Sequence, residues 1–484
     1  MNFSWSSLYL EFATVGLGLA ILVADLWTPV EHKRKLGFAA AGGLLLLLLA
    51  SFVPAWEPAP GASFGGMITM DPLALFFKRL FLAAGFVVAL MTIEFAPQIK
   101  AGIAEYHTLQ LMALAGMLFA ASATDLSMMF VCLELITVSF YVLTSFQRGK
   151  TASLEAGVKY LIIGALSSGF LVFGIALVFG TSNSTRFQDI ALKAPALIAN
   201  KLFLAGLILV LGGFLFKIAA VPLHMWAPDV YQGAPAPTTA LLSVGSKAAG
   251  FVLLVRWTFS VVPDVALKWE KLLLAIAGCT ILYGSLCALP QRDLKRLLGY
   301  SSIANAGFLL LGVAAMTPAG STAILFYLGT YAFAVLGIFT VITLLSGQQT
   351  SVDFNSLAGL SKRSPYMAAC LTLCVVSLAG IPPLVGFTGK FLLIKSALEQ
   401  GVSFTSYYAL VGVALFGVVA SFYYYFGLIR AAYWAPHNPS MPALPVSTLA
   451  GFGLGACAAA VVVLGIVPKP LLAAAEAAVK ALRN

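Results

Sequence analysis

The sequence predicts an all-α polytopic membrane protein with about 14 transmembrane helices. Two observations favour this fold class. Of the 484 residues, 61% are hydrophobic and 10% are charged, whereas a soluble domain has roughly 45–50% apolar and about 25% charged residues. In addition, apolar runs of about 17–25 residues, long enough to cross a bilayer, recur along the whole chain. The same composition excludes a disordered chain and, with only six cysteines, a disulfide-stapled scaffold.

The predicted spans follow one another without a long polar insertion, which indicates a single membrane domain over residues 1–484. They cover residues 8–27, 36–53, 72–95, 108–123, 126–146, 156–179, 202–220, 238–262, 272–289, 297–316, 322–345, 365–397, 408–429 and 449–467. The first span has neither a basic leading segment nor a small-residue cleavage site, so we expect it to be retained and not removed as a signal peptide. The final stretch, LLAAAEAAVKALRN, has the pattern of a short amphipathic helix at the membrane surface.

The formal net charge of +10 arises from 28 lysines and arginines against 18 acidic residues. The basic residues are scattered between apolar runs and form no face that could follow a phosphate backbone, which excludes nucleic acid as a partner. With both termini outside, the inner loops carry 12 basic residues and the outer loops carry 8. Since cytoplasmic loops are enriched in lysine and arginine, we expect both termini on the periplasmic side of a bacterial inner membrane.

The cysteines predict no redox centre in this chain. All of them lie within apolar segments, and no two have the CxxC spacing of a metal or iron–sulfur site. We therefore expect them to be small, buried hydrophobic side chains. They are Cys132, Cys279, Cys287, Cys370, Cys374 and Cys457.

Four ionisable residues lie deep inside predicted spans: Glu134, Lys217, Lys247 and Lys390. A charge at the centre of a span costs about 2.5–3.5 kcal/mol, so such residues face the bundle interior. One interpretation is a set of ion pairs that only lock helices together. The other is proton exchange, because burial disfavours the charged form of a lysine and lets it lose and regain a proton. Several such lysines, two of them beside broken helices, favour proton exchange.

Two further residues are weaker candidates for proton transfer. Lys159 follows Glu155 by four residues, a spacing that fits a local helical ion pair equally well. His224 follows Pro222, where a histidine could merely cap freed carbonyls, but its ordinary titration range near neutral pH suits proton exchange. We interpret the other basic residues within or at the margins of spans as structural: Lys78, Arg79, Arg256 and Lys395.

Two spans are interrupted by glycine and proline in comparable positions of the two halves. The first interruption, KIAAVPLHMWAPDVYQGAPAP, contains Pro222, and the second, LAGIPPLVGFTGKF, contains Pro382 and Pro383. Proline removes a backbone donor and frees a carbonyl, and non-helical backbone at membrane depth occurs only inside protein or beside water. Paired interruptions are typical of transporters built from repeats. The residues alone thus predict ion or proton translocation through a helical bundle.

Several long stretches resemble the antiporter-like membrane subunits of respiratory complex I. They are KIAAVPLHMWAPDVYQGAPAPTTALLSVGSKAAGF, LKRLLGYSSIANAGFLLLG, SLAGIPPLVGFTGKF, CLELITVSFYVL and EAGVKYLIIGALSSGFLVFG. The similarity extends from the fourth predicted span to the thirteenth. The chain has no room for the long lateral helix of the largest such subunit, and the middle one has an acid where this chain has Lys390. Both features favour the subunit N branch of the family.

The resemblance implies two inverted five-helix repeats, each with one broken helix. On that basis the N-terminal helices are 1–104, the two half-channels are 105–262 and 269–433, and the last helix with its tail is 447–484. The implied function is one proton channel of NADH:quinone oxidoreductase, driven by electron transfer in other subunits. FMN, iron–sulfur clusters and quinone are expected in those subunits, and no cofactor is expected in this chain. The implied partners are neighbouring antiporter-like and small membrane subunits, together with the lipid bilayer.

The resemblance also assigns site residues one by one. It matches Glu134 to the acid of the fifth helix, Lys159 to a lysine of the sixth, Lys217 to the partner lysine of the broken seventh, His224 to the PxHxW histidine, Lys247 to the midplane lysine of the eighth and Lys390 to the lysine of the broken twelfth. The implied hypothesis is that redox turnover moves Glu134 relative to Lys217 and weakens that pair. The proton of Lys217 then passes through water and His224 to Lys247, and from there to Lys390. The chain departs from the pattern at Asn305, where many relatives have a histidine, so that link is carried by water or is not essential.

Other functions stay open at this point. A subunit of a multisubunit Na⁺(K⁺)/H⁺ antiporter would share these lysines and would exchange cations without electron transfer. A subunit of a ferredoxin- or deazaflavin-linked dehydrogenase is a related possibility. A purely structural membrane scaffold is disfavoured, because burying this many ionisable groups is costly.

Overall fold

The computed structural model describes residues 7–53, 60–261, 269–347, 352–401, 405–436, 444 and 446–482. Within these ranges the regular structure is helical, apart from one antiparallel ribbon of two strands, β1 (Gly61–Ser63) and β2 (Ile68–Met70). The predicted end of the eighth span at Val262 lies outside the described residues. So do Lys268 and Arg483, two of the basic residues assigned to the outer loops.

The helices follow the predicted apolar runs. In chain order they are α1 (Tyr9–Asp25), α2 (Lys35–Ala50), α3 (Pro72–Phe95), α4 (Ile103–Ser122), α5 (Leu126–Thr144), α6 (Thr151–Ser182), α7 (Phe187–Leu197), α8 (Lys201–Lys217), α9 (Trp226–Gly233), α10 (Ala236–Phe259), α11 (Glu270–Ala288), α12 (Leu294–Ala314), α13 (Pro318–Ser346), α14 (Leu360–Arg363), α15 (Pro365–Ala379), α16 (Val385–Gln400), α17 (Ser406–Trp434), α18 (Thr448–Ile466) and α19 (Lys469–Lys480). The short connecting helix α7 has no counterpart among the predicted spans, whereas α19 confirms the predicted helix of the tail.

Nine helices in the described part of the chain are long and apolar enough to cross a membrane. They are α3, α5, α6, α10, α11, α12, α13, α17 and α18. The other predicted spans correspond to α1, α2 and α4 and to the interrupted pairs α8–α9 and α15–α16, which are shorter or more polar. The polytopic helical membrane fold is confirmed, and the total of about 14 spans stays a prediction.

Side-chain caps fix where several helices begin. Asp71 accepts a hydrogen bond of 2.7 Å from the Ala74 amide at the start of α3, and Asp125 accepts one of 2.8 Å from the Ser127 amide at the start of α5. The first amides of a helix have no partner within it, so a carboxylate placed there satisfies one of them and also favours the positive end of the helix dipole. Both acids therefore have a local structural role, and Asp71 also binds Arg256 of α10.

Helices α10 and α12 occupy the centre of the bundle. The most apolar stretch of each is completely buried, whereas α6 buries only 28% of its corresponding stretch. Side chains such as Ile162 and Phe173 of α6 are exposed as a result. Polar groups on these two central helices therefore lie in the protein interior, and α6 presents an apolar face to its surroundings.

Both predicted interruptions are confirmed. Helix α8 ends at Lys217 before α9 begins at Trp226, and α15 ends at Ala379 before α16 begins at Val385. The Val221–Pro222 and Pro382–Pro383 peptide bonds in these segments are cis. Each interruption ends a helix inside the bundle, so its last carbonyl groups need partners from elsewhere in the protein.

The burial predicted for the cysteines is correct for Cys132, Cys370, Cys374 and Cys457, which are buried. It is wrong for Cys279, which is exposed, and only partly right for Cys287. Both residues lie on α11, and one side of this helix faces outward. In a membrane protein an outward-facing side is also apolar, so an apolar run does not by itself place a thiol in the core.

Candidate functional site

Lys217 and Glu134 lie on neighbouring helices but bind different partners. The Lys217 ammonium donates to the carbonyl oxygen of Leu133 at 3.2 Å and to the hydroxyl of Thr137, both on α5. Glu134 accepts a hydrogen bond of 2.5 Å from the Ser168 hydroxyl of α6. No ion pair within 4.0 Å joins these two described residues. The two predicted partners therefore interact in this structure as nearby charges without direct contact.

The interruption after α8 explains the position of Lys217. Lys217 is the last residue of α8, and the indole Nε1 of Trp226 donates a hydrogen bond of 3.1 Å to the carbonyl oxygen of Phe216, which also accepts the Ala219 amide. The stem of Lys217 packs against Gly250 of α10, where a Cβ atom would approach the Lys217 Cβ to 3.2 Å. Lys217 is therefore held beside the helix that carries Lys247.

Lys247 lies at the centre of the protein and is 2% exposed. A π-helical turn over Leu242–Ser246 immediately precedes it, a local widening that is frequent at functional sites. Its ammonium donates to both the carbonyl and the hydroxyl of Ser302 on α12. The same ammonium lies 5.6 Å from the ring centre of Tyr331, so all its described contacts are with neutral groups.

Lys390 binds the carbonyl groups that the second interruption frees. Its ammonium donates to the Leu378 oxygen at 2.7 Å and to the Ala379 oxygen at 3.4 Å, at the C-terminal end of α15. That end carries the negative pole of the helix dipole, which attracts a cation. The stem passes over Gly380, whose φ of 88° lies in the left-handed region. In the structure, the predicted site residue Lys390 therefore binds the predicted second interruption directly.

His224 is buried but is not brought into contact with the lysines. Its ring packs edge-on against Tyr283 of α11, with ring centres 4.2 Å apart. No hydrogen bond or ion pair among the described residues joins it to Lys217 or Lys247. Its predicted place between these two lysines therefore stays a prediction.

Lys159 belongs to a larger charged cluster than the sequence indicates. It pairs with Glu155 at 2.6 Å, as the spacing predicts, and also with Asp229 of α9 at 2.7 Å. Asp229 in turn pairs with Arg296 of α12 at 2.6 Å. The Lys159 side chain is 42% exposed, so this cluster lies at the rim of the bundle and not on its buried axis.

Sequence reasoning missed two ion pairs, one of them completely buried. Lys78 and Glu11 lie 2.6 Å apart with both side chains completely buried, although Lys78 is predicted to lie near the end of a span. Arg256, interpreted as structural, makes two hydrogen bonds of 2.7 Å to Asp71. Glu11 is the only acid between the start of the first span and Asp25. A lone acid inside an apolar span indicates a buried partner, and this was the signal in the sequence.

Comparisons with known proteins place these residues in a family. Residues 123–417 match the family described as NADH:quinone oxidoreductase/Mrp antiporter, TM. NADH-quinone oxidoreductase subunit N of Moorella thermoacetica is 38% identical over 466 residues, 96% of each chain. A chain of respiratory complex I from Thermus thermophilus with bound Aureothin is 30% identical with a TM-score of 0.79, and the match covers 97% of this chain and 99% of that chain.

A chain of the Mrp complex from Dietzia sp. DQ12-45-1b shares the fold, with a TM-score of 0.77 at 21% identity over 98% of this chain and 97% of that chain. The family match covers more than half of the sequence and includes every candidate residue from Glu134 to Lys390. This chain therefore belongs to the NADH:quinone oxidoreductase/Mrp antiporter family of membrane proteins, and it is similar along its length to NADH-quinone oxidoreductase subunit N.

Proposed function

We propose that this chain is a proton-translocating membrane subunit of a respiratory NADH:quinone oxidoreductase. Electron transfer in other subunits drives protons through its buried lysines. The observation that carries the proposal is the chemistry around Lys217, Lys247 and Lys390. Each ammonium donates to carbonyl or hydroxyl oxygens, which are neutral groups.

A neutral partner distinguishes these lysines from an ordinary buried ion pair. Lys78 lies against the Glu11 carboxylate, and loss of its proton would leave an unpaired buried negative charge. Lys247 and Lys390 leave no such charge behind when they become neutral, and the acid near Lys217, Glu134, keeps its hydrogen bond from Ser168. Neutral oxygen atoms attract an ammonium group less strongly than a carboxylate does. These three residues are suited to release and regain a proton, and Lys78 is suited to stay charged.

Contacts between neighbouring helices link the three lysines in order. Lys217 packs against α10 at Gly250, and Lys247 of α10 binds Ser302 of α12. Lys390 extends over the ring of Phe308, also on α12, with 5.0 Å between its nitrogen and the ring centre. A proton entering near Glu134 would thus pass from α8 to α10 and then across α12. Lys159 stays a proposed contributor at the entry side, and His224 stays a proposed link between Lys217 and Lys247.

The same proposal covers cofactors, partners and location. FMN, iron–sulfur clusters and quinone would be held by partner subunits, and this chain would hold none of them. The exposed apolar face of α6 fits a neighbouring membrane subunit or the lipid of a bacterial inner membrane. We infer from the loop charges that both termini lie on the periplasmic side.

A subunit of a multisubunit Na⁺(K⁺)/H⁺ antiporter is the second candidate. The fold shared with the Mrp complex of Dietzia favours it, and the buried lysines suit both functions. The two candidates differ in whether electron transfer accompanies transport. The similarity to subunit N over almost the whole chain favours the oxidoreductase.

A pull-down separates the two candidates. The tagged chain is extracted from its native membrane in mild detergent and the isolated assembly is assayed for flavin, iron–sulfur absorbance and NADH:quinone activity. The oxidoreductase assignment predicts that all three accompany the chain. Recovery of membrane partners without flavin or NADH oxidation contradicts it and supports the antiporter.

A further inference from the structure

A groove of about 1160 Å³ lies where the connection between α11 and α12 meets the end of α17. We call it the arginine groove and define it by six side chains: Arg292, Phe354, Tyr423, Phe426, Arg430 and Trp434. A short 3₁₀ turn, Phe354–Leu357, packs against α17 at Gly427, where a Cβ atom would lie 3.2 Å from the Phe354 ring. The groove exceeds the roughly 300–1,000 Å³ of an ordinary small-molecule site, so it suits a larger ligand.

The wall of the arginine groove carries two positive charges and no carboxylate. Both arginines are exposed, and in the part of the chain that the structure describes neither guanidinium is paired with an acid within 4.0 Å. The acids next to the groove along the chain, Asp293 and Asp353, cap helical turns instead. Asp293 accepts the Arg296 amide at 2.8 Å, and Asp353 accepts the Ser356 amide at 3.0 Å. The charge of this wall therefore favours an anion.

The aromatic part of the wall follows α17 away from the charge. Tyr423 lies seven residues before Arg430, which is about 10 Å along a helix. Tyr423 is 73% exposed and Phe426 is 47% exposed. Trp434, also 73% exposed, lies one turn beyond Arg430 at the end of α17. Exposed aromatic rings at a helix end are typical of the boundary between hydrocarbon and headgroups, so Arg430 lies at headgroup level and Tyr423 deeper.

We propose that the arginine groove binds an anionic phospholipid of the inner leaflet, with Arg292 and Arg430 on its phosphate and an acyl chain along α17. Guanidinium groups bind phosphate oxygens through paired, charge-assisted hydrogen bonds. Both arginines belong to the loops assigned to the inner side, and basic pockets between membrane helices on that side suit anionic headgroups. A zwitterionic lipid brings a cation of its own, which the two arginines repel. The inference concerns the lipid contacts of the chain and does not depend on proton transfer.

Photo-crosslinking to the isolated membrane assembly tests the proposal. Phosphatidylglycerol and phosphatidylcholine that carry the same diazirine-labelled acyl chain are added in separate samples at equal concentration, and the labelled peptides are located by mass spectrometry. We expect phosphatidylglycerol to label the α17 peptide around Tyr423 and Phe426 about ten-fold or more above phosphatidylcholine. Each basic side chain near an anionic lipid favours its binding by about five-fold, and the groove has two.

A pair of double variants assigns this preference to the groove. Arg292→Gln combined with Arg430→Gln removes both guanidinium groups, and we expect the preference for phosphatidylglycerol to fall to about two-fold or less. Lys100→Gln combined with Arg148→Gln is the matched control. Lys100 and Arg148 are exposed, belong to loops assigned to the same side and do not line the groove. This control removes the same charge from the inner side and should retain the full preference.

Three results overturn the proposal. The first is equal labelling of α17 by the two lipids in the chain of natural sequence, a comparison that needs no variant to assemble. The second is an equal loss of preference in both double variants, which would show that only the overall charge of the inner side matters. The third is no labelling of α17 by either lipid, which would show that a neighbouring membrane subunit covers this face. Proton translocation enters none of these comparisons, so failure of the lipid site leaves the proposed function standing.

Discussion

The ammonium group of Lys390 donates a hydrogen bond of 2.7 Å to the carbonyl oxygen of Leu378, a group that the break between α15 and α16 leaves free. The break and the lysine therefore act together. The interrupted helix supplies free carbonyl oxygens and the negative end of its dipole, and the lysine ammonium binds those oxygens with its positive charge. At the first break, Trp226 binds the carbonyl oxygen of Phe216, the residue that precedes Lys217.

Gly380→Ala is expected to disturb the contacts between Lys390 and the second break. The residue has a φ of 88°, and an added Cβ would lie 3.2 Å from the Lys390 Cδ. The left-handed backbone costs about 1–2 kcal/mol for a residue with a side chain, and the crowding displaces the ammonium from its carbonyl partners. We expect less assembled complex and slower proton translocation. Gly412→Ala on α17 is the control, since nothing lies within 4 Å of its Cβ position; an effect of equal size there would contradict the explanation.

Glu134→Gln is expected to slow proton translocation by several-fold while assembly persists. The amide can still accept the hydrogen bond from Ser168, so packing is preserved, but the negative charge near Lys217 is lost. Proton uptake by vesicles is the measurement. Glu155→Gln is the matched control, because Glu155 is 64% exposed and its pair with Lys159 contributes little. Comparable losses in both variants would argue against a specific role of Glu134.

The buried pair of Glu11 and Lys78 predicts a characteristic pattern of stability. Removing one partner, as in Glu11→Leu, leaves a completely buried unpaired charge, which costs about 3–5 kcal/mol. Replacing both, as in Glu11→Leu with Lys78→Met, removes that penalty and should restore most of the stability. The amount of assembled complex and its thermal inactivation temperature report the effect. A double variant as unstable as the single one would show that the pair has another role.

The sequence predicts the buried lysines well because a lysine at the centre of a long apolar run cannot reach water and must face the bundle interior. It also predicts the breaks, since proline cannot continue the hydrogen-bond ladder of a helix. Lys217, Lys247 and Lys390 are buried, and the interruptions fall at Pro222 and at Pro382, as expected.

Tertiary partners are less accessible to sequence reasoning. The sequence predicts a structural role for Lys78 but not its partners, such as the Met70 sulfur of β2, which lies 3.1 Å from the Lys78 nitrogen. The acid that compensates it, Glu11, comes from α1, far away along the chain. Likewise, only the packing of α12 against α13 brings Tyr327 to Asn305. A pattern in one helix carries no information on which neighbour it meets.

The most direct measurement of the central claim is NADH-driven proton uptake by vesicles whose complex carries Lys247→Met. The substitution keeps the length and apolar stem of the side chain and removes the group that exchanges the proton. Lys395→Met is the control, because Lys395 is half-exposed and lies 3.7 Å from Glu399 at the rim. We predict that Lys247→Met abolishes proton uptake in a normally assembled complex while Lys395→Met preserves it. Full proton uptake by the Lys247→Met complex would contradict the account.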